Sequence, residues 1–323
     1  MDKADAREAR VGLGFAVAAQ LVWGGQPLFW PLLDGMSTIE LLAHRILWSW
    51  VVALAIVAAR PASRRGVREI LRSRRALRTL AGASVLMGSA WGLYIYGVVV
   101  GRVVETSLAL FIGPLVTALL GVAVLRERLR PVQWCASGVG LAAVMVLACG
   151  YGRIPWLALA IAGTVAVYGL LKKRLAIPAA EGMAVEAAFL TLPAAGFLVW
   201  LAVRGDLGVA GASAGVVALV PLAGVLSTLP LVFFAASVNR VPLSTFGLLM
   251  YLNPAIQFSL GVWVLHEDMS AARWGGFALL WVALAVFAAD ALIRERARSL
   301  EERGVAVREE FAGLPGKGDA ASA

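Results

Sequence analysis

Six ionisable residues interrupt long apolar runs in this chain: Glu40, His44, Arg45, Glu105, Glu186 and Asp290. An unpaired charge at the centre of a bilayer costs about 2.5 to 3.5 kcal/mol on insertion scales, so each should face protein or water. Glu40 and His44 stand one turn apart on one helical face, with Arg45 next to them. We expect Arg45 to pair with Glu105 or Glu40 as an outer closure, and Glu186 to pair with Arg240 as its inner counterpart. A carboxyl shielded from water holds its proton to higher pH, which makes Glu105 and Glu186 the candidates for carrying a coupling proton. Permanent structural ion pairs or headgroup contacts are the competing reading. Glu127 and Glu267 lie at predicted helix ends beside Arg126, Arg128 or Asp268, where a solvated cap or gating salt bridge fits better than proton transfer.

A second set of residues concerns the backbone. Gly113-Pro114 and Asn253-Pro254 fall at equivalent places in two apolar spans. A proline removes a donor and frees a carbonyl, which must find a partner or line a cavity. A packing kink is the plain alternative, but the paired placement favours a site near the midplane. Trp23, Trp91, Tyr94, Phe111, Tyr168 and Tyr251 would wall such a cavity with flat apolar faces and a few polar tips. Core packing or an interfacial belt is the ordinary role of such aromatics.

Catalytic patterns are missing. His44 and His266 lie far apart without zinc-ligand spacing, and no phosphate-cradling loop is present, so neither a metal nor any other cofactor is expected. The net charge of +9 sits at the ends of apolar runs rather than in an aromatic-interleaved domain, which argues against nucleic acid and for anionic lipid headgroups.

The elements that must position these residues are membrane helices. With 323 residues and 60% of them hydrophobic, the chain holds more apolar surface than a soluble core could hide. Ten stretches can cross about 30 Å of hydrocarbon as helices: Val11 to Leu33, Leu41 to Ala59, Thr79 to Val100, Thr106 to Leu125, Val132 to Ala148, Pro155 to Leu171, Met183 to Val203, Gly215 to Val238, Leu243 to Leu265 and Trp274 to Ile293. The first is read as a retained helix rather than a cleaved signal. Cys135 and Cys149 share the fifth span and stand too far apart to bridge. With the amino terminus inside, the outer connections hold only Arg102, Arg153, Arg204 and Arg273, while most of the 29 Lys and Arg fall inside. That asymmetry puts both termini in the cytoplasm.

The stretch from Ala43 to Ala148 repeats itself at the offset that carries Pro114 onto Pro254. Leu108, Leu120, Gly121, Leu125, Glu127 and Trp134 fall on Leu248, Leu260, Gly261, Leu265, Glu267 and Trp274. We therefore expect an all-α membrane protein built from two five-helix repeats, 1–150 and 151–293, with a cytoplasmic tail at 294–323. An odd number of spans inverts the second repeat relative to the first.

The segments 40–49 (ELLAHRILWS), 105–115 (ETSLALFIGPL), 168–173 (YGLLKK) and 243–254 (LSTFGLLMYLNP) resemble RarD-type permeases of the EamA group, in the drug/metabolite transporter superfamily. The resemblance implies ten helices in two inverted repeats, a bacterial inner-membrane location and secondary transport of small organic metabolites or drugs. It further implies a central cavity lined by Trp23, Trp91, Tyr94, Phe111, Gly113, Tyr168, Tyr251 and Asn253. Gly113 stands where close relatives carry Asn, which bears on specificity. The expected partners are the lipid bilayer, a small-molecule substrate and a coupling proton, in a monomer or homodimer. A channel or lipid-handling protein is the alternative, and an intramembrane enzyme a more distant one.

Overall fold

The computed structural model describes residues 3–126, 131–173, 177, 179–238, 240, 249–286, 288–290 and 293. All regular structure among them is helical. Apolar, Gly- and Ala-rich runs without strict alternation satisfy their backbone groups internally only as helices. In chain order these are α1 (Lys3–Phe29) with a 3-10 turn (Trp30–Leu33), α2 (Thr38–Ala59), α3 (Pro61–Arg72), α4 (Arg74–Val99), α5 (Val103–Leu125), α6 (Pro131–Tyr151), α7 (Trp156–Lys173) and α8 (Ala179–Arg204). There follow the short α9 (Gly208–Gly211), α10 (Ala214–Leu219), α11 (Leu222–Val238), α12 (Leu252–Ser259) with a π-turn (Leu260–Val264), and α13 (Ala271–Asp290). By length and composition, seven candidate spans emerge, from α2, α4, α5, α6, α8, α10 with α11, and α13. Helix α7 is a shorter apolar helix, and α1 carries the buried amides Gln20 and Gln26 within its apolar stretch.

Two expected spans differ from the structure, both at prolines. The eighth is divided into α10 and α11 around Pro221. In the ninth, Pro254 falls in the first turn of α12, where its missing N–H would have had no intrahelical partner, whereas Pro114 lies inside α5. The two prolines thus occupy different places within their described helices. Glu127, Ser244, Thr245 and the tail at 294–323 lie outside the described residues.

Helix α1 packs against α11 and α12, α2 against α8 and α11, α4 against α7 and α8, and α5 against α7 and α12. Glycines allow the closest approaches: Gly224 lies on the backbone of Trp48 and Ser49, and Gly276 on Leu147. Phe111, Phe258, Phe277 and Trp281 form an aromatic cluster joining α5, α12 and α13, with ring centroids 4.6 to 6.4 Å apart.

Two of the interior prolines are answered by glutamines. Pro27 in α1 leaves the Trp23 carbonyl without its helical donor, and Gln257 Nε2 approaches that carbonyl at 3.5 Å. Pro230 in α11 leaves the Leu226 carbonyl, and Gln26 Nε2 donates to it at 2.9 Å. Helix α5 ends on Arg126 with φ 56°, and the π-turn is followed by His266 with φ 53°. Both are left-handed conformations uncommon outside glycine, at positions matched by the Pro114-to-Pro254 offset.

A Cβ at Gly224 would overlap the Trp48 backbone, while Gly196 has open space around it. Gly224→Ala should therefore destabilise the protein by roughly 1–3 kcal/mol. Gly196→Ala, in open space inside α8, should instead be neutral or stabilise by up to about 1 kcal/mol. Thermal unfolding of the two variants in detergent checks the contrast.

Candidate functional site

A cavity of about 270 Å³ opens among α1, α2, α4, α7, α8 and α11. Trp23 comes from α1, Arg45 from α2, and Ser84, Met87 and Trp91 from α4. Tyr168 and Lys172 come from α7, Met183, Glu186, Ala187 and Leu190 from α8, and Ser227 and Leu231 from α11. Most of the lining is apolar, and its charge is concentrated at Arg45 and at the Lys172–Glu186 pair.

Arg45 is only 5% exposed. Its guanidinium carbon lies 4.7 Å from the Trp91 ring centroid and 5.4 Å from that of Trp30, close enough for cation–π attraction. Its Nε and Nη1 have no hydrogen-bond partner. Among the described residues no carboxylate neutralises it, which corrects the expected pairing with Glu40 or Glu105. Both of those carboxylates are held by backbone N–H groups elsewhere. Glu186 accepts from Lys172 Nζ at 2.7 Å and from the Tyr168 hydroxyl at 3.0 Å. Arg240 is exposed and donates to the Ala236 carbonyl at the end of α11, so the expected Glu186–Arg240 closure does not form.

Glu40, Glu105 and Glu267 share a different arrangement. Ser37 starts α2 by accepting from the Glu40 N–H at 3.2 Å, which holds the Glu40 side chain at the helix end. The Glu40 carboxylate accepts from the N–H groups of Gly208 and Val209 at 3.2 and 3.0 Å, with His44 Nε2 at 3.9 Å. Glu105 accepts from the Leu157 N–H at 3.2 Å, from Arg153 at 2.8 Å and from Arg102 at 2.5 Å. Glu267 accepts from the N–H groups of Val103 and Val104. Each carboxylate thus caps the start of a helix other than its own. Burial pushes the Glu267 carboxyl above its ordinary value, opposed by the Val104 and Val103 N–H groups and by Arg273, while Glu105 adds to the rise.

A second cavity of about 580 Å³ lies between α5, α7 and the start of α12. Gly113, Pro114, Tyr251, Asn253 and Pro254 line it together with Leu110 and Met250. Pro114 deprives the Leu110 carbonyl of its helical donor, and Asn253 Oδ1 accepts from Gln257 Nε2 at 2.9 Å. Of the expected cavity residues, Trp23, Trp91 and Tyr168 line the first cavity, and the Gly-Pro and Asn-Pro residues with Tyr251 line the second. Phe111 lines neither, because its ring is committed to Phe277 and Trp281. Tyr94 also lines neither cavity, and its hydroxyl is buried without a partner. Among the described residues, no three His, Cys, Asp or Glu side chains gather as a metal site.

Residues 10–149 match the model of the EamA-like transporter family. The chain is 47% identical over 296 residues to Protein RarD of Streptomyces exfoliatus, covering 90% of this chain and 93% of that protein. It is 36% identical over 283 residues to the uncharacterized transporter YojE of Bacillus subtilis, covering 87% and 94%. A solved crystal structure at 20% identity superposes with a TM-score of 0.56, covering 87% of this chain and 96% of that one, and shares the fold.

The raised Glu267 carboxyl predicts a pH dependence of stability. A folded-state value above the ordinary 4.5 means that the folded protein binds the proton more tightly. This contribution is fully present below the unfolded value and is lost as pH rises through the folded one. The melting temperature of the wild type relative to Glu267→Gln should therefore fall as pH is raised from 4.5 toward neutrality. A difference that stays flat would count against the buried cap.

Proposed function

The chain belongs to the RarD-type permeases of the EamA-like transporter family, and from that premise we propose that it moves a small organic solute by secondary-active, alternating-access transport through the cavity at Arg45. The observation that carries this reading is a cavity walled jointly by α1, α2 and α4 from the first proposed repeat and by α7, α8 and α11 from the second, with the unpaired cation Arg45 in its wall. The starts of α5 and α7 are capped by Glu267 and Glu105, and that of α9 by Glu40. On the orientation given by the Lys and Arg distribution, with both termini in the cytoplasm of a bacterium, these capped starts lie toward the outside, and we take the cavity to open inward.

The helix contacts support two inverted halves. Exchanging α1 with α7, α2 with α8, α4 with α11 and α5 with α12 turns the α1–α11 contact into α7–α4, α1–α12 into α7–α5, and α2–α11 into α8–α4. The α2–α8 and α5–α12 contacts map onto themselves, and every contact in this set is observed. The matched left-handed residues Arg126 and His266 point the same way. Halves related by an axis in the membrane plane can rock about a shared site to open either face. Glu186, held by Lys172 and Tyr168 in the cavity, is the carboxyl that would exchange a coupling proton. Glu105, occupied by two arginines and a backbone N–H, serves as a cap.

Directional labelling tests the proposal, after the exposed Cys135 and Cys149 are changed to Ser. A membrane-impermeant maleimide should modify Ser84→Cys from the cytoplasmic face and react at least roughly ten times more slowly from outside. Adding Glu40→Ala and Glu267→Ala should raise the outside rate. Simultaneous fast labelling from both faces, with a flux in liposomes that never saturates, would indicate a pore instead.

A further inference from the structure

Arg45 cannot plausibly shed its proton, since a guanidinium stays charged in proteins. Its burial therefore requires compensation, and the structure supplies only part of it. The Trp30 and Trp91 rings offer π faces but no acceptor of the kind a guanidinium N–H uses in a hydrogen bond, and Nε and Nη1 remain without partners. The nearby carboxylates are committed: Glu40 to Gly208 and Val209, Glu105 to Leu157, Arg102 and Arg153, and Glu186 to Lys172 and Tyr168. Other buried groups in the same shell also lack partners, namely the Trp30 indole N–H and the Tyr94 hydroxyl. Arg and Trp side chains can only donate. The chemistry these donors call for is therefore an acceptor.

Charge leads to the same answer. Among the described residues, Arg45 and Lys172 line the cavity with Glu186 as the one lining carboxylate, leaving one uncompensated cation. The rest of the wall is apolar, and a volume of about 270 Å³ lies at the small end of ligand cavities. We infer that this cavity takes a monoanionic, amphipathic organic solute, its oxyanion on Arg45 and its apolar body against Trp91, Trp23, Met87 and Leu231. The inference rests on reading this cavity as the transport site.

Binding to the purified full chain in nanodiscs of phosphatidylcholine, which provide no anionic headgroup, tests it. The probes are benzoate, 3-phenylpropionate and octanoate, each against its neutral amide and its amine, measured by calorimetry. At least one acid should bind saturably, with its amide and amine weaker by roughly ten-fold or more, as expected for a charge-assisted pair. Arg45→Gln should abolish the preference for acid over amide, and Arg45→Lys should retain part of it. Equal binding of acid and amide, no binding by any of the acids, or an unchanged preference in Arg45→Gln would overturn the inference. Should Arg45→Gln fail to fold, the acid–amide comparison on the wild type still decides. Acid binding without counterflow would leave the anion site standing and remove the transporter. Counterflow of neutral solutes without acid preference would do the reverse.

Discussion

A helix that begins in a nonpolar surrounding carries N–H groups with nothing to accept them, and the architecture here depends on how those groups are answered. Three starts are served by carboxylates from elsewhere in the chain: α5 by Glu267, α7 by Glu105, and α9 by Glu40. Leaving a buried donor unsatisfied costs about 1–3 kcal/mol, so each cap fixes two distant segments as one unit. Glu267 follows the π-turn and binds the N–H groups of Val103 and Val104, so it ties late sequence to early sequence. Glu40 does so across a similar separation of 168 residues, and Glu105 across a shorter one of 52. Closure at this end is thus made from charge-assisted backbone bonds, which are stronger and more directional than exposed ion pairs.

The same accounting applies to carbonyls. Helix α1 both accepts, through the Trp23 carbonyl left by Pro27, and donates, through Gln26 to the Leu226 carbonyl left by Pro230. It is the helix through which α11 and α12 are connected in polar terms. A proline-interrupted helix bends more readily at the freed carbonyl, and a glutamine amide can follow that bend because it has rotatable bonds. Carboxylate caps thus hold the starts of α5, α7 and α9, and glutamine amides meet the carbonyls freed within α1 and α11.

Much of this was legible in the residues, and the rest was not for a definite reason. Apolar length and the placement of Arg gave the helical membrane class, and Pro155 with the short run to Leu171 located α7 nearly to the residue. Trp23, Trp91 and Tyr168 do share one cavity wall. Side-chain partners were not legible, because they depend on the depth and rotation of helices far apart in sequence. Arg45 faces Trp30 and Trp91 rather than a carboxylate, and Lys172 reaches Glu186 where Arg240 was expected. Gln26 and Gln257 were signals that could have been used: each is an amide in an apolar span close to a proline, where a freed carbonyl needs a donor. Phe111 turns into the Phe277 and Trp281 cluster and lines neither cavity.

Arg45 and Glu186 stand at the same place in their helices: each is the eighth residue, of α2 (Thr38–Ala59) and of α8 (Ala179–Arg204). These two residues, on helices α2 and α8 that pack together, line one cavity with opposite charges. Two halves of like architecture thus present unlike electrostatics: an unpartnered cation from one, and a carboxylate already compensated by Lys172 from the other. In the proposed cycle, inverted halves that exchange conformations would interchange the geometry of the two mouths while the charges stay with their helices. A solute bound to Arg45 would then encounter a different field on leaving by each route, so the sequence difference between the repeats would become an energetic difference between the faces. The departure from symmetry at Arg45 and Glu186 would distinguish the two conformations that the proposed cycle requires.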